Sequence, residues 1–162
     1  MTATASFERG DLPGALLAVV LVNLVGAAPA ALGGPDSAWF QSLTKPAIYP
    51  PSWAFGVVWT LLFTLMGIAL YLVWRSEPSR ERRIALGLFV AQMAFNVAWT
   101  PVFFQAQNLA LALAVIVALL ALLLPTIAAF RRVDRRAGLL LVPYLLWVTF
   151  AAVLNYRFLA LN

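Results

Sequence analysis

The sequence predicts an all-α polytopic membrane protein, a bundle of five transmembrane helices, on three observations. Of its 162 residues, 64% are hydrophobic and only 10% are charged, whereas a water-soluble domain carries roughly a quarter of charged residues. The apolar residues gather into five long stretches, each near the length of about 20 residues that a helix needs to cross a bilayer. These stretches are too long for barrel strands and do not alternate polar with apolar residues. Together with short connections they account for the chain, so residues 1–162 are expected to form one five-helix membrane domain with no separate soluble domain.

The first stretch covers about residues 12–32. Ala28-Pro29-Ala30 has the look of a small-residue cleavage site, but the preceding segment holds Glu8, Arg9 and Asp11 rather than a basic cluster. The run also exceeds the core of a secretory signal, so an uncleaved helix is expected. The second, about 53–74, has Trp53 and Trp74 at its two ends, where an amphipathic ring anchors at the membrane interface. The third, fourth and fifth cover about 84–104, 109–130 and 138–158. Pro29, Pro101, Pro125 and Pro143 fall inside four of the stretches. Such kinks are tolerated in a membrane bundle and leave gaps between helices where small ligands bind.

Charge orients the bundle. Arg9, Arg75, Arg80, Arg82, Arg83, Arg131, Arg132, Arg135 and Arg136 fall on one side of the five crossings, and only Lys45 and Arg157 on the other. The positive-inside rule then puts the N-terminus inside, and the C-terminus and the long 33–52 connection outside. The formal net charge of +5 is thereby a topology signal, and no nucleic-acid partner is expected. The chain has no Cys and no His. Disulfides, Cys/His metal sites, thiolate catalysis and histidine acid–base chemistry are therefore excluded, and no cofactor is required.

Polar and aromatic residues fall on single helix faces. Gln92, Asn96, Trp99 and Phe103 follow a spacing that confines them to a wedge of roughly 60°. Amides in hydrocarbon need partners, so this stripe is expected to face protein or a cavity. Gly87, Ala91, Ala94 and Ala98 line a second face of the same helix, suited to close internal packing or to a homodimer contact. Tyr144, Trp147, Ala151 and Asn155 share a face of the fifth helix, and Trp59, Phe63, Met66 and Leu70 a face of the second. The 33–52 connection, GGPDSAWFQSLTKPAIYPPS, carries four prolines that limit the entropy lost on ordering. It suits a lid over the bundle mouth or an interfacial loop whose Trp39 and Phe40 dip into headgroups.

These residues also carry a resemblance. The runs Trp39-Phe40-x2-Leu43-x-Lys45-Pro46, Pro50-Pro51-x-Trp53 and Trp59-x2-Leu62-Phe63-x2-Met66-Gly67-x3-Tyr71-Leu72-Val73-Trp74 resemble the translocator protein family, also called the tryptophan-rich sensory proteins or peripheral-type benzodiazepine receptor. Gln92-x3-Asn96-x2-Trp99-x-Pro101-x-Phe103-Phe104 and Pro143-Tyr144-x2-Trp147-x3-Ala151-x2-Leu154-Asn155-Tyr156 are similar to its third- and fifth-helix signatures.

The resemblance implies a receptor or sensor, often a homodimer, that binds porphyrins such as protoporphyrin IX and related hydrophobic ligands. It implies a pocket lined by Trp59, Asn96, Trp99, Trp147 and Ala151, with Trp39, Leu43 and Pro46 in the lid. Lys45 and Arg157 are the bases available to porphyrin carboxylates. Two further readings follow from the same resemblance: light- or oxygen-dependent porphyrin breakdown through Trp59 and Trp147, and passive lipid or sterol transport. The chain departs from the family's sterol motif at Arg157, which follows Tyr156 immediately, and it has Leu111 and Phe63 where many relatives carry Trp and Tyr. No ionisable residue lies at mid-bilayer and no internal repeat is present, which speaks against coupled transport.

Overall fold

The computed structural model describes residues 9–162; Glu8, ahead of the first helix, lies outside them. The elements run in order as α1 (Leu12–Ala27), a 3-10 turn (Ala28–Leu32), α2 (Ala38–Ser42), α3 (Ser52–Trp74), α4 (Arg80–Phe104), α5 (Leu109–Val133), α6 (Arg135–Leu140) and α7 (Val142–Leu161). There is no strand among the described residues. Five segments are long and apolar enough to cross a membrane: Leu12–Ala31, Ser52–Trp74, Arg80–Phe104, Leu109–Val133 and Arg135–Leu161. The protein is all-α and polytopic.

The starts of α4, α5 and α6 follow from side-chain caps that satisfy the first free N–H groups. Ser79 accepts from Arg82 N at 3.1 Å, so α4 begins at Arg80, a turn earlier than the apolar run from Ile84 suggests. Asn108 accepts from Leu111 N at 2.9 Å, and Asp134 accepts from Arg136 N at 2.7 Å. The last cap breaks the final crossing from α5, and a second break at Leu141 places Pro143 in the first turn of α7, where a missing N–H costs nothing. Pro29 likewise opens the 3-10 turn, so only Pro101 and Pro125 are interior to helices.

Inside the spans, small polar side chains bond the carbonyl four residues back, as hydrocarbon offers no other partner. Thr60, Thr64, Thr126 and Thr149 do this at 2.7–2.8 Å. Many large apolar side chains along the spans are exposed, among them Leu16, Val90, Leu124 and Leu146. The buried polar ones are Gln92, Asn96, Thr126, Asp134 and Asn155. Apolar outside with amides inside is the distribution that a lipid surround requires. Trp53 and Trp74, 71% and 60% exposed, mark the two ends of α3.

Helix contacts close a ring: α1 packs on α3, α3 on α6 and α7, α7 and α6 on α5, α5 on α4, and α4 back on α1. The α1–α3 contact is tight because Gly67 has no side chain; a Cβ there would lie 2.5 Å from Val19 Cα. The inner faces of α3, α4, α5 and α7 supply one continuous core that includes Phe63, Met66, Phe89, Leu119, Phe130 and Tyr144. A second, smaller aromatic core sits at the end of the bundle covered by the 33–52 connection.

Candidate functional site

That second core is organised by α2. Ser37 caps the helix by accepting from Phe40 N at 3.3 Å, and the short helix drives Phe40 into the bundle mouth. Phe40 is only 3% exposed, with ring centroids of Phe104, Phe158, Tyr49 and Phe103 at 5.3, 5.5, 5.9 and 6.1 Å. Trp39 meets Phe103 edge-on at 5.8 Å, and Leu43 packs against the same cluster. Pro46 is buried and its carbonyl accepts from Tyr49 N at 2.9 Å, closing a turn. Burial raises the Tyr49 phenol above its ordinary 10.0, partly offset by a hydrogen bond with Ser52, so the ring sits in the seat as a neutral group.

Two polar contacts tie the connection to the rest. Thr44 N donates to Asn162 Oδ1 at 2.8 Å and Asn162 Nδ2 donates back to Thr44 O at 3.2 Å, joining it to the end of α7. Lys45 is exposed, its Nζ 4.9 Å from the Phe40 ring centroid and 3.4 Å from Phe40 O. Arg157 is also exposed. Of the two rings of the amphiphilic patch, Phe40 is seated among protein rings and Trp39 is partly exposed.

Beneath the lid, α3, α4 and α7 converge. Trp99 packs against both cores; it lies 4.8 Å from Phe103 and donates Nε1–H to Asn155 Oδ1 at 3.0 Å. Asn155 Nδ2 donates in turn to Leu109 O at 3.0 Å. Trp59 stacks on Phe63 at 5.1 Å and meets Tyr144 edge-on at 6.2 Å. Trp147 lies 5.9 Å from Phe55, and Ala151 packs against the main core. Deeper still, Asn96 Nδ2 donates to Tyr144 Oη at 2.8 Å and Tyr144 Oη donates to Gln92 Oε1 at 3.0 Å. Gln92 Nε2 and Trp147 Nε1 are buried donors with no protein partner.

The three helix stripes therefore face one interior, and seven of the eight expected residues pack with one of the two cores or bond into them, Pro46 serving the turn above. Sequence reasoning did not single out Phe40 as the centre of the seat, nor Phe158, Thr44 and Asn162. Phe40 was visible as part of an amphiphilic patch. The Thr44–Asn162 pair joins residues far apart in the chain, and neither residue type signals it. The arrangement offers flat π surfaces for stacking, a few amides to orient a polar edge, and no His, Cys or carboxylate; among the described residues no acidic, His or Cys cluster could hold a metal.

Comparison with known proteins decides the family. The TspO/MBR family model matches residues 16–161. The chain belongs to the TspO/MBR family. It is 43% identical over 138 residues to the tryptophan-rich sensory protein of Cereibacter sphaeroides, covering 83% of this chain and 85% of that one. It is 40% identical over 121 residues to the translocator protein of Ovis aries, covering 74% and 72%. The TspO protein of Archaeoglobus fulgidus is 35% identical over 152 residues, covering 93% and 96%. The TspO/MBR resemblance read from spaced Trp, Pro and Asn residues thus holds over nearly the whole chain.

Proposed function

We propose that this TspO/MBR protein is a membrane receptor that binds porphyrins of the protoporphyrin IX type, and related flat hydrophobic ligands, in the aromatic interior beneath the lid. One observation carries the reading: Trp59, Asn96, Trp99, Trp147 and Ala151 come from three helices to one interior, roofed by Trp39, Leu43 and Pro46. The rings that line it touch one another across the bundle, so a ligand enters by parting them. The lid lifts Phe40 from its seat and frees Thr44 from Asn162. The macrocycle then takes the place of ring–ring contacts with ring–macrocycle contacts of similar worth, each pair about 1 kcal/mol. The spare N–H groups of Trp147 and Gln92 gain acceptors, and the porphyrin carboxylates meet Lys45 and Arg157 at the mouth.

The nine-to-two asymmetry of basic residues supports an orientation with the N-terminus inside and the lid outside. Residues 1–162 act as one membrane domain. Gly87 and Ala94 are exposed on α4, and a Cβ at Gly87 would meet nothing within 4 Å. We assign the Gly87, Ala91, Ala94 and Ala98 face to a homodimer contact. Binding is favoured over turnover because no side chain in the interior carries acid–base or metal chemistry. Any breakdown would draw its reactivity from the excited porphyrin, with Trp59 and Trp147 beside it.

The test is quenching of tryptophan fluorescence by protoporphyrin IX in detergent-purified protein, with Trp59, Trp99 and Trp147 replaced by Phe one at a time. Saturable quenching at micromolar porphyrin, weakened most in Trp99→Phe, is expected. Absence of saturable quenching in the parent would remove the porphyrin reading and leave the fold intact. Illumination of the complex checks turnover: Soret loss equal to that of porphyrin in detergent alone is expected.

A further inference from the structure

The end of the bundle opposite the lid carries a feature that ligand binding does not use. All its bases are arginines, and the single lysine of the chain, Lys45, lies at the other end. Arg75 is held by Asp11, and Arg136 by Asp134 at 3.1 Å. Arg80 and Arg132 have no ion pair among the described residues. They converge because α4 and α5 run antiparallel, with Thr126 of α5 reaching Leu88 O of α4 at 3.5 Å and the helix ends therefore side by side. Arg80, Glu81 and Ile84 of α4 and Ala129 and Arg132 of α5 line a recess of about 250 Å³ between the two helices. Arg80 also borders a neighbouring recess of about 310 Å³ lined by Pro78, Ser79, Arg82 and Arg83.

We infer that the α4–α5 recess is a binding site for the phosphodiester headgroup of an anionic phospholipid. Guanidinium groups from two helices can clamp one phosphate with paired N–H donors, geometry that an ammonium lacks. The lining of Arg80, Arg132 and Glu81 has a net charge of one positive unit, matched by a lipid with one negative charge. A zwitterionic lipid leaves that charge uncompensated. Glu81 is an acceptor for a headgroup hydroxyl, as in phosphatidylglycerol. The recess is smaller than a typical site for a whole drug-sized ligand, which runs from roughly 300 Å³ upward, and suits a headgroup whose tails lie elsewhere. Ile84 and Ala129 form its apolar wall, and the exposed surface of α5 continues from Arg132 along Ala128 and Leu124, a track for an acyl chain. A free phosphate ion would make no use of that track. Basic recesses between membrane helices are suited to such headgroups.

The experiment is native mass spectrometry of delipidated full-length protein titrated with dioleoyl-phosphatidylglycerol, -phosphatidylcholine and -phosphatidylethanolamine. Phosphatidylglycerol is expected to bind about tenfold more tightly than the other two, and the Arg80→Gln/Arg132→Gln variant to abolish that preference. Both side chains are exposed, so the variant is expected to fold, which far-ultraviolet circular dichroism checks. Arg135→Gln, at the same end but outside the recess, is expected to keep the preference. Equal binding of the three lipids overturns the site. So does a loss in Arg135→Gln as large as in the double variant, which would mean diffuse charge. Full competition by millimolar inorganic phosphate also overturns it, leaving a free-anion site.

Discussion

The two ends of the bundle are closed by different physics. At the lid end, Phe40, Tyr49, Phe103, Phe104 and Phe158 close the mouth by ring contact, and among the described residues the polar fastenings between lid and α7 are those of Thr44 with Asn162. At the arginine end, Asp11 is joined to Arg75 and accepts from Tyr71 Oη at 2.8 Å, while Asp134 both caps α6 and pairs with Arg136. Ring contacts are non-directional and can be exchanged for contacts with another flat apolar surface. Charge-assisted bonds are directional, and a hydrophobic ligand does not replace them. A ligand that must part the bundle therefore has its low-cost entry at the aromatic end, with the other end as the fixed base.

The largest effect is expected from emptying the aromatic seat. Phe40→Ala removes a buried ring and costs about 3–5 kcal/mol of lid closure. Limited proteolysis should then cut the 33–52 segment much faster, with little change in the cleavage of the α3–α4 connection. Equal acceleration at both ends would mean that the ends are not independent. Next is Arg75→Met, which removes the guanidinium from the partly buried Asp11 carboxylate and costs about 1–3 kcal/mol. Here the thermal midpoint of the whole bundle should fall while lid cleavage stays as in the parent.

Asp134 gives a smaller effect with a pH signature. Partial burial pulls its carboxyl upward, but the side-chain and backbone hydrogen bonds from Arg136 and its charge prevail and hold it below 3.8. The charged, bonded form thus stabilises the fold at pH values above 3.8, and that contribution is lost as pH falls through the lowered folded value. The thermal midpoint of the parent should exceed that of Asp134→Asn at pH 6, with the gap closing on acidification below pH 3.8. A gap constant with pH would assign the effect to something other than the carboxylate.

The same contrast explains what the sequence made legible. The five crossings were readable because lipid demands long apolar runs, and the arginine end because its bases cluster in short connections. The Trp99 face was readable because helical periodicity is local. The seat of Phe40 was not, since its ring partners come from three separate segments and one Phe in an amphiphilic patch reads the same whether it meets lipid or protein. The connection at Asp134 was legible from the charged run Arg131–Arg136 between two apolar stretches, whereas the break at Leu141 was hidden by continuous hydropathy on both sides, where Pro143 in the first turn decides the geometry.

The smallest expected effect sharpens the comparison most. Asn162 makes three hydrogen bonds, two with Thr44 and one to Phe158 O at 2.9 Å, all near solvent that can replace them. Asn162→Ala should therefore cost about 1 kcal/mol, and that cost falls on lid closure alone because α7 keeps its backbone ladder. If the lid gates entry, a loss of that size raises the open fraction about fivefold and porphyrin association by the same factor in stopped-flow quenching. The thermal midpoint should stay within about 1 °C of the parent's, since unfolding reads the base rather than the lid. Unchanged association with a lowered midpoint would reverse the assignment, making the Thr44–Asn162 pair part of the fixed structure and leaving Phe40 as the sole latch.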